Sequence, residues 1–588
     1  MIRKSQYPDL VVKPNEKRVF AFSKDLRLIS KGLPRKILLN FAFTLFFLFN
    51  YSSIIIGQDL PDILTANSKE DVNYLPDFSF AGYWNGGLEI PMTVGTIIYA
   101  SDYGVIPNDG LDDSKALKMA IKEAAKIDGK VTLQLPAGRI ILSEILYLER
   151  SYFVLRGSGT GENGTELYFP RPLMYTKDPS ELKELREYLI EFDKRQREKE
   201  NNIDLPFSQY AWSGGYIWTK VSNTRVKPYL QKYDRPYKVL AKVVSGKRGN
   251  CILEASGINK LNVGDIVELQ LFNKDGETGE IISDLYKDNS LKIGSHHWKF
   301  KDLPIVKQQV EILKIEGNTI TINAPLTIDI IESYQAQIVE WKHLTEVGIE
   351  NFRITFPKAP RIAHHVEQGF NAIYLTRVYN SWVNNVVIDN ADSGIITEAI
   401  ANVTLRDITT EGENFAHYTV MMQGTYNVLA EGIKVYNKAQ HPLSFNTWAT
   451  KCVYSNCEIF VDPILDQHSG ANHQNLFDNI KVHVKTKPDR SYPLFAGGGA
   501  GYWKPSHGSF STFWNIDVNF LDGLNSSAQI ELNGMKDGPF ARLVGIKANH
   551  NLLISYEPHA YLERINQTVE DVPSLYRYQL EKRLAQRE

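Results

Sequence analysis

The sequence predicts an all-β chain wound as a right-handed parallel β-helix, a solenoid with an N-terminal capping helix and an inserted small β subdomain. Three observations predict it. From Trp341 onward, short strand phrases recur, most at intervals of about 20–25 residues with two longer gaps that imply insertions, a period that signals stacked coils sharing one core. Each phrase alternates apolar residues beside Asn, Asp or Gly, the pattern of a half-buried strand closed by a tight turn. The length, 588 residues, is too great for one ordinary compact domain but not for a solenoid. A β-sandwich with irregular strands would lack the recurring Asn-x-x-apolar phrase.

The elements follow in order. Asn108-Asp109-Gly110 makes a tight turn. Asp112 or Asp113 then caps a helix with an apolar stripe of Ala116, Leu117, Ala120, Ile121 and Ala124. Val131 to Leu135 is a strand ended by Pro136-Ala137-Gly138, and short strands follow around 140–142 and 153–155. Residues 178–202, dense in Glu, Lys and Arg, read as a solvated helix between rungs. Residues 236–340 alternate β-rich runs with turns and read as the inserted subdomain. The repeating units are 347–354, 382–388, 402–408, 427–435, 451–459, 475–482 and 513–518. The last residues, from Pro573, predict a capping helix. The expected division is 1–57 as a signal peptide or anchor with its extension, 58–170 as the N-terminal part and first coils, 171–340 as the insert, 341–560 as the main coils with the site, and 561–588 as the C-terminal cap.

Charge and cysteine content narrow the function classes. The formal net charge is -2, so no global field draws the chain to nucleic acid or an anionic membrane, although a local basic groove could hold an anionic sugar. Three cysteines allow one internal disulfide at most, and without a C-x-x-C pair a structural zinc site is not expected. Residues 37–57, an uncharged apolar run after Lys31, Arg35 and Lys36, fit a secretory signal or an uncleaved anchor. The expectation is a periplasmic or secreted protein that touches membrane only through that segment. Oligomeric state leaves no mark on the sequence.

The stretch 102–138 closely resembles the N-terminal part of bacterial pectate-lyase-like β-helix proteins, the pectin-lyase superfamily. Shared features are an aromatic-Gly turn, a Gly-Asp-Gly-type turn, an Asp-Asp helix cap and a strand ending in Pro-Ala-Gly. The resemblance covers residues 100–170 and 340–585. It implies the fold, a capping role for the helix, and a carbohydrate-active protein. It does not imply one reaction, because that superfamily holds lyases, hydrolases, epimerases and phage tailspikes. The phrases DQHSGANHQNLFDN, PLFAGGGAGYW and STFWNIDV resemble β-helix proteins grouped with polysaccharide-degrading enzymes, which locates a site without naming its chemistry.

Stacking converts sequence spacing into a spatial column, since equivalent positions on adjacent rungs lie about 4.8 Å apart. Val403, Val428 and Cys452 open three consecutive units, and counting back eleven residues from each gives Asp392, His417 and His441. The next coil brings His468 and His473. Six of the 13 histidines fall between 364 and 473: His364, His365, His417, His441, His468 and His473. A row of imidazoles suits proton chemistry near neutral pH. The plainer reading makes each a hydrogen-bonded structural histidine.

β-Elimination from a uronic acid needs a base for the C5 proton, an acid for the C4 oxygen, and donors or a cation on the carboxylate. The expected assignment gives His417 or His441 as base and Tyr418 as acid. If a straight strand turned Tyr418 to the other side, His468 would replace it. Arg377, Asp392, Asn446, His365 and His473 are the expected substrate-binding residues. No metal and no cofactor are expected, because Asp389 and Asp392 make too thin a cluster for calcium. The expected partner is an acidic polysaccharide or oligosaccharide. The activity would be that of a polysaccharide lyase or of a dehydratase of uronate-terminated oligosaccharides, such as algal ulvan fragments. One alternative is a glycoside hydrolase of the polygalacturonase type, for which Glu398 and Glu411 are weak second carboxylates. Another is a non-catalytic sugar-binding solenoid.

Overall fold

The computed structural model describes residues 60–586 apart from 67–69, 93–94, 197–206, 225–226, 228–236, 274–278, 288–302, 500–503, 524–527 and 536–537. The expected signal segment, within 1–57, lies outside the described residues. Among the described residues no helix is long and apolar enough to cross a membrane.

The seven repeating units stack in one parallel sheet. Their register runs Ile349, Val383, Leu405, Ala430, Tyr454, Phe477 and Phe513, and continues to Leu543. All these side chains are buried in one core. Where the row turns aromatic the rings stack like coins: Tyr454 on Phe477 at 5.7 Å and Phe477 on Phe513 at 5.4 Å between centroids. The recurring Asn has a backbone cause. The flanking registers align Asn351, Asn385, Asp407, Gly432, Asn456, Asn479, Asn515 and Gly545, and every one has φ between 50° and 74°. Each coil therefore bends at this corner through a left-handed residue, a conformation that Asn, Asp and Gly accept most readily. Side-chain amides bond along this column, Asn385 Nδ2 to Asn351 Oδ1 at 2.9 Å and Asn479 Nδ2 to Asn456 Oδ1 at 2.6 Å.

A second parallel sheet carries the site. Its strands are β1 (Leu146–Leu148), β2 (Ile217–Thr219), β3 (Asn371–Thr376), β4 (Ser393–Glu398), β5 (Ala416–Met422), β6 (Ala439–Phe445), β7 (Leu465–His468) and β8 (Gly497–Gly498), paired in that order. Ile217, Ile373, Ile395, Val420, Leu443 and Leu465 continue the core along it. The solenoid strand β2 lies inside the expected insert 171–340, so that insert is interrupted by a rung.

Around the solenoid lie four additions. Helix Ser114–Ala124 buries Leu117, Ala120 and Ala124 in the first coils. Asp112 Oδ1 accepts from Ser114 N, while Asp113 turns back to accept from Ile106 N. Six strands between Val239 and Glu340 close into an antiparallel barrel. The barrel shares a core with Tyr379, Ala401, Tyr426 and Trp448, beyond the far ends of the site strands. Residues 60–66 and 70–85 are not coils but form a strap along the outside of the first sheet. It runs from Asp62 on Glu563, through Tyr74 on Arg542 and Gly82 on Asn427, to Tyr83 on Glu346. The C-terminal helix Leu575–Ala585 does not close the end of the solenoid. It lies on the face of the first sheet, packed with Leu429, Val453, Leu476 and Trp514, and residues 561–565 form another parallel strand.

Candidate active site

The site gathers at the leading ends of β4, β5 and β6, beneath the segment 361–370, and extends along β7 to its last residue, His468. His417 is the second residue of β5 and His441 the third of β6. Asp392 precedes β4, and its carbonyl accepts from His417 N at 2.7 Å. The expected single line through Asp392, His417 and His441 is off by one position. The register pairs Ser393 with Tyr418 and Tyr418 with His441. The cause lies in the connections. Leu429 follows Tyr418 by eleven residues, whereas Val453, its partner on the next rung, follows His441 by twelve, the extra residue being taken up in a turn at Trp448 with φ 61°. The rings still converge, with His417 and His441 centroids 5.6 Å apart.

The expected exposed wall is covered. His417 is 0% exposed and His441 6%. Above them His364 and His365 form the cover and keep contact with solvent. Trp212 packs on both His365 and His417, at 4.7 and 6.3 Å. His364 Nε2 lies 3.1 Å from His417 Nε2, so one imidazole donates to the other. On the other side of His417, Nδ1 lies 3.4 Å from Glu367 Oε1. The three stand in a row from a buried carboxylate to a solvent-facing ring, with an aligned hydrogen bond only between the two imidazoles. A second unit stands beside it: Asp466 Oδ2 lies 3.3 Å from His441 Nδ1 and 3.5 Å from His468 Nδ1, and accepts from Ser444 Oγ at 2.5 Å. The His468 ring needs Gly498 beneath it, because a Cβ there would overlap the imidazole. Of the other glycines in the PLFAGGG phrase, Gly497 makes room for Ser506 and Gly499 has φ 92°.

Burial sets the charges. Removing an imidazolium from water favours the neutral ring. Burial, aided by neighbouring imidazoles, pushes His364 down to about 2 and His365 to about 3, and holds His417 well below the usual range. Burial pushes Glu367 up to about 7, helped by Asp392 and opposed by Arg361. Asp466 goes the other way: burial opposes its charge, but His441 and His468 hold it below the ordinary carboxylate range. The cluster thus pairs a proton-holding acid with an ionised one.

Other expected residues are placed differently. His365 belongs to the cover, its ring 3.7 Å from that of His364. Asp392 is structural, with Oδ2 accepting from Gly369 N and Phe370 N at 2.9 Å. Tyr418 does not face away from His417. Its ring stacks at 4.1 Å on His417 and 5.1 Å on His441, because the strand is not straight at its leading end. It is fully buried and its hydroxyl accepts from Asn446 Nδ2 at 3.4 Å, so both residues support the rings rather than meet substrate. Arg377 sits beyond the end of β3. Its N–H donates to Glu398 O, five residues and about 17 Å along β4 from Ser393. His473 lies elsewhere too, lining a cavity with Arg248, Asp284 and Lys287 between barrel and solenoid. Glu398 pairs with buried Lys227 at 3.0 Å and Glu411 with Arg353, so neither is a catalytic carboxylate here.

Sequence reasoning missed Glu367, Asp466, Trp212 and the cover role of His364. Asp466 stood two residues before His468 in a phrase already singled out, and Glu367 three after His364. Trp212 gave no signal, because the nearest rung strand, β2, is only three residues long and carries none of the repeating phrase.

No protein-family model matches the chain, and no curated protein matches it in sequence. Solved structures show distant similarity. The tailspike protein gp49 from Pseudomonas phage LKA1 is 12% identical, with TM-score 0.43, covering 79% of this chain and 78% of that one. DFA-IIIase from Arthrobacter chlorophenolicus A6 without its lid is 12% identical, with TM-score 0.36, covering 79% and 92%. The Gp54 tailspike of Acinetobacter baumannii bacteriophage AP22, in complex with A. baumannii capsular saccharide, is 11% identical, with TM-score 0.33, covering 79% and 72%. Membership of the pectate-lyase-like superfamily is not shown.

Proposed function

We propose that this protein is an exported carbohydrate-active enzyme performing β-elimination on uronic-acid-containing polysaccharide or oligosaccharide. The observation that carries the reading is the pair His364–His417, in which a neutral, solvent-facing imidazole is hydrogen-bonded to a buried one, with Glu367, a carboxyl group able to hold a proton near pH 7, 3.4 Å behind it. His364 takes the C5 proton. The C5–H electron pair becomes the C4=C5 double bond, and the C4–O bond breaks. The proton stored on the relay returns to the leaving oxygen, which departs as a sugar hydroxyl or as water, and the enzyme is regenerated. Arg361, partly exposed over the Phe415 ring at 3.8 Å and 4.0 Å from Glu367, is placed to attract an anionic sugar. The covered site favours fragments over long chains. Export rests on the apolar run 37–57 after three basic residues.

A second reading has its own support. Glu367 raised and Asp466 lowered is the division of labour between acid and base that a glycoside hydrolase needs. One assay separates the two. Purified protein incubated with uronate oligosaccharides should produce the ultraviolet absorbance of an unsaturated uronate. Cleavage without that absorbance would establish hydrolysis instead.

A further inference from the structure

We propose that His441, Asp466 and His468 form the binding site of one divalent transition-metal ion. Each offers a ligand atom, and these atoms lie within 4.8 Å of one another. The two nitrogen–oxygen distances, 3.3 and 3.5 Å, are the edges of a coordination polyhedron. Ligands bound at about 2.0–2.1 Å in tetrahedral geometry stand about 3.3–3.4 Å apart. They are poor hydrogen bonds. Neither ring nitrogen of His441, and not Nδ1 of His468, finds an aligned hydrogen-bond partner among the described residues, although both residues are buried. Two imidazoles left unsatisfied around one buried carboxylate are costly unless something sits between them. A simple ion pair would have turned an N–H toward Oδ2.

The donor set names the class of ion. Two imidazoles and a carboxylate suit zinc, iron or cobalt, whereas calcium and magnesium take oxygen ligands. The environment is already prepared. The ligand atoms are held in one place by adjacent rungs, Ser444 Oγ fixes the carboxylate, and Gly498 makes room for the His468 ring. Three protein ligands leave a position open for substrate. For its role only, this inference rests on the elimination reading. That reaction needs positive charge on the uronate carboxylate as the carbanion develops, and Arg377, once expected to supply it, lies beyond the end of β3, several strands away from β7. An ion on His441, whose ring is 5.6 Å from that of His417, is placed to hold that carboxylate beside the proton relay. The chemistry anticipated from sequence was metal-free.

The test uses the full chain, stripped with chelator and titrated with Zn²⁺ and Co²⁺. Elemental analysis should find one equivalent bound. Co²⁺ should develop the visible absorption of a low-symmetry site with nitrogen ligands. H441A and H468A should each weaken binding by at least about 100-fold, since losing a group that merely supports a ligand costs about 10–100-fold. H417A should bind normally. Wild-type protein that retains neither ion, or an H441A/H468A double variant that binds as wild type does, would overturn the site. The Co²⁺ spectrum of the wild type stands even if a variant fails to fold. Binding that disappears in H441A, without any unsaturated product from the wild type, would keep the metal centre and dismiss the elimination. Full elimination by the metal-free protein would overturn the metal's role while leaving the elimination standing.

Discussion

Glu367 carries the most information of any single residue. E367Q keeps the shape and removes the charge behind His417, so kcat should fall about 100-fold with KM little changed, the usual magnitude for losing one general acid–base partner. Steady-state kinetics on a responsive oligosaccharide would check this. The same residues set the pH dependence of stability. His364 and His365 have folded pKa values depressed to about 2 and about 3, against about 6.5 unfolded. The unfolded chain therefore binds more protons in acid. The stability of the neutral rings is fully present above pH 6.5 and is lost as pH falls toward 3. Glu367 has the opposite sign. Raised to about 7 from 4.5, it contributes below pH 4.5 and loses its contribution as pH rises through 7. Thermal unfolding between pH 8 and pH 5 should show Tm falling with acid, and E367Q should steepen the fall. The histidines were legible because rungs turn spacing into proximity. Glu367 was not, because it hangs from a connection whose path no periodicity fixes, and Arg377 misled because its place on a rung says nothing of which end of the strand it occupies.

At the scale of elements, the left-handed column and the C-terminal helix show how local chemistry locks coils together. Asp478, within the LFDN phrase that had seemed part of a site, accepts from Leu575 N at 2.8 Å and from the hydroxyls of Ser455 and Ser574. It ties the helix Leu575–Ala585 to the first sheet and holds no substrate. D478A removes a helix cap and leaves buried donors unpaired, and should cost about 1–3 kcal/mol with turnover unchanged. Chemical denaturation with parallel kinetics would measure both. The repeating units were readable as strands because each alternates and ends at Asn. The helix was readable as a helix, but not its seat, since a capping and a side-on helix bury similar stripes. G498A belongs to this scale as well. The new methyl displaces the His468 ring while leaving the rung pairing intact, so activity should drop at least about 10-fold with a smaller loss of stability.

For the whole molecule, the parallel solenoid was written plainly in its period, and the strap of residues 60–66 and 70–85 was not. The strap has no repeat of its own and is defined by partners hundreds of residues away, such as Glu563 for Asp62 and Glu346 for Tyr83. The barrel docks beyond the trailing ends of the site strands, away from His417 and His441 and three residues from His468 at Ala471, while the short segment around Trp212 covers His417. The central claim is that this buried, roofed cluster moves a proton from C5 of a uronic acid. It is tested most directly by incubating wild type and H417A with a panel of uronate-terminated oligosaccharides and following ultraviolet absorbance and product mass. The prediction is an unsaturated uronate from the wild type, and turnover at least about 100-fold slower from folded H417A. Equal turnover by the two proteins, or products carrying an added water and no double bond, would contradict it.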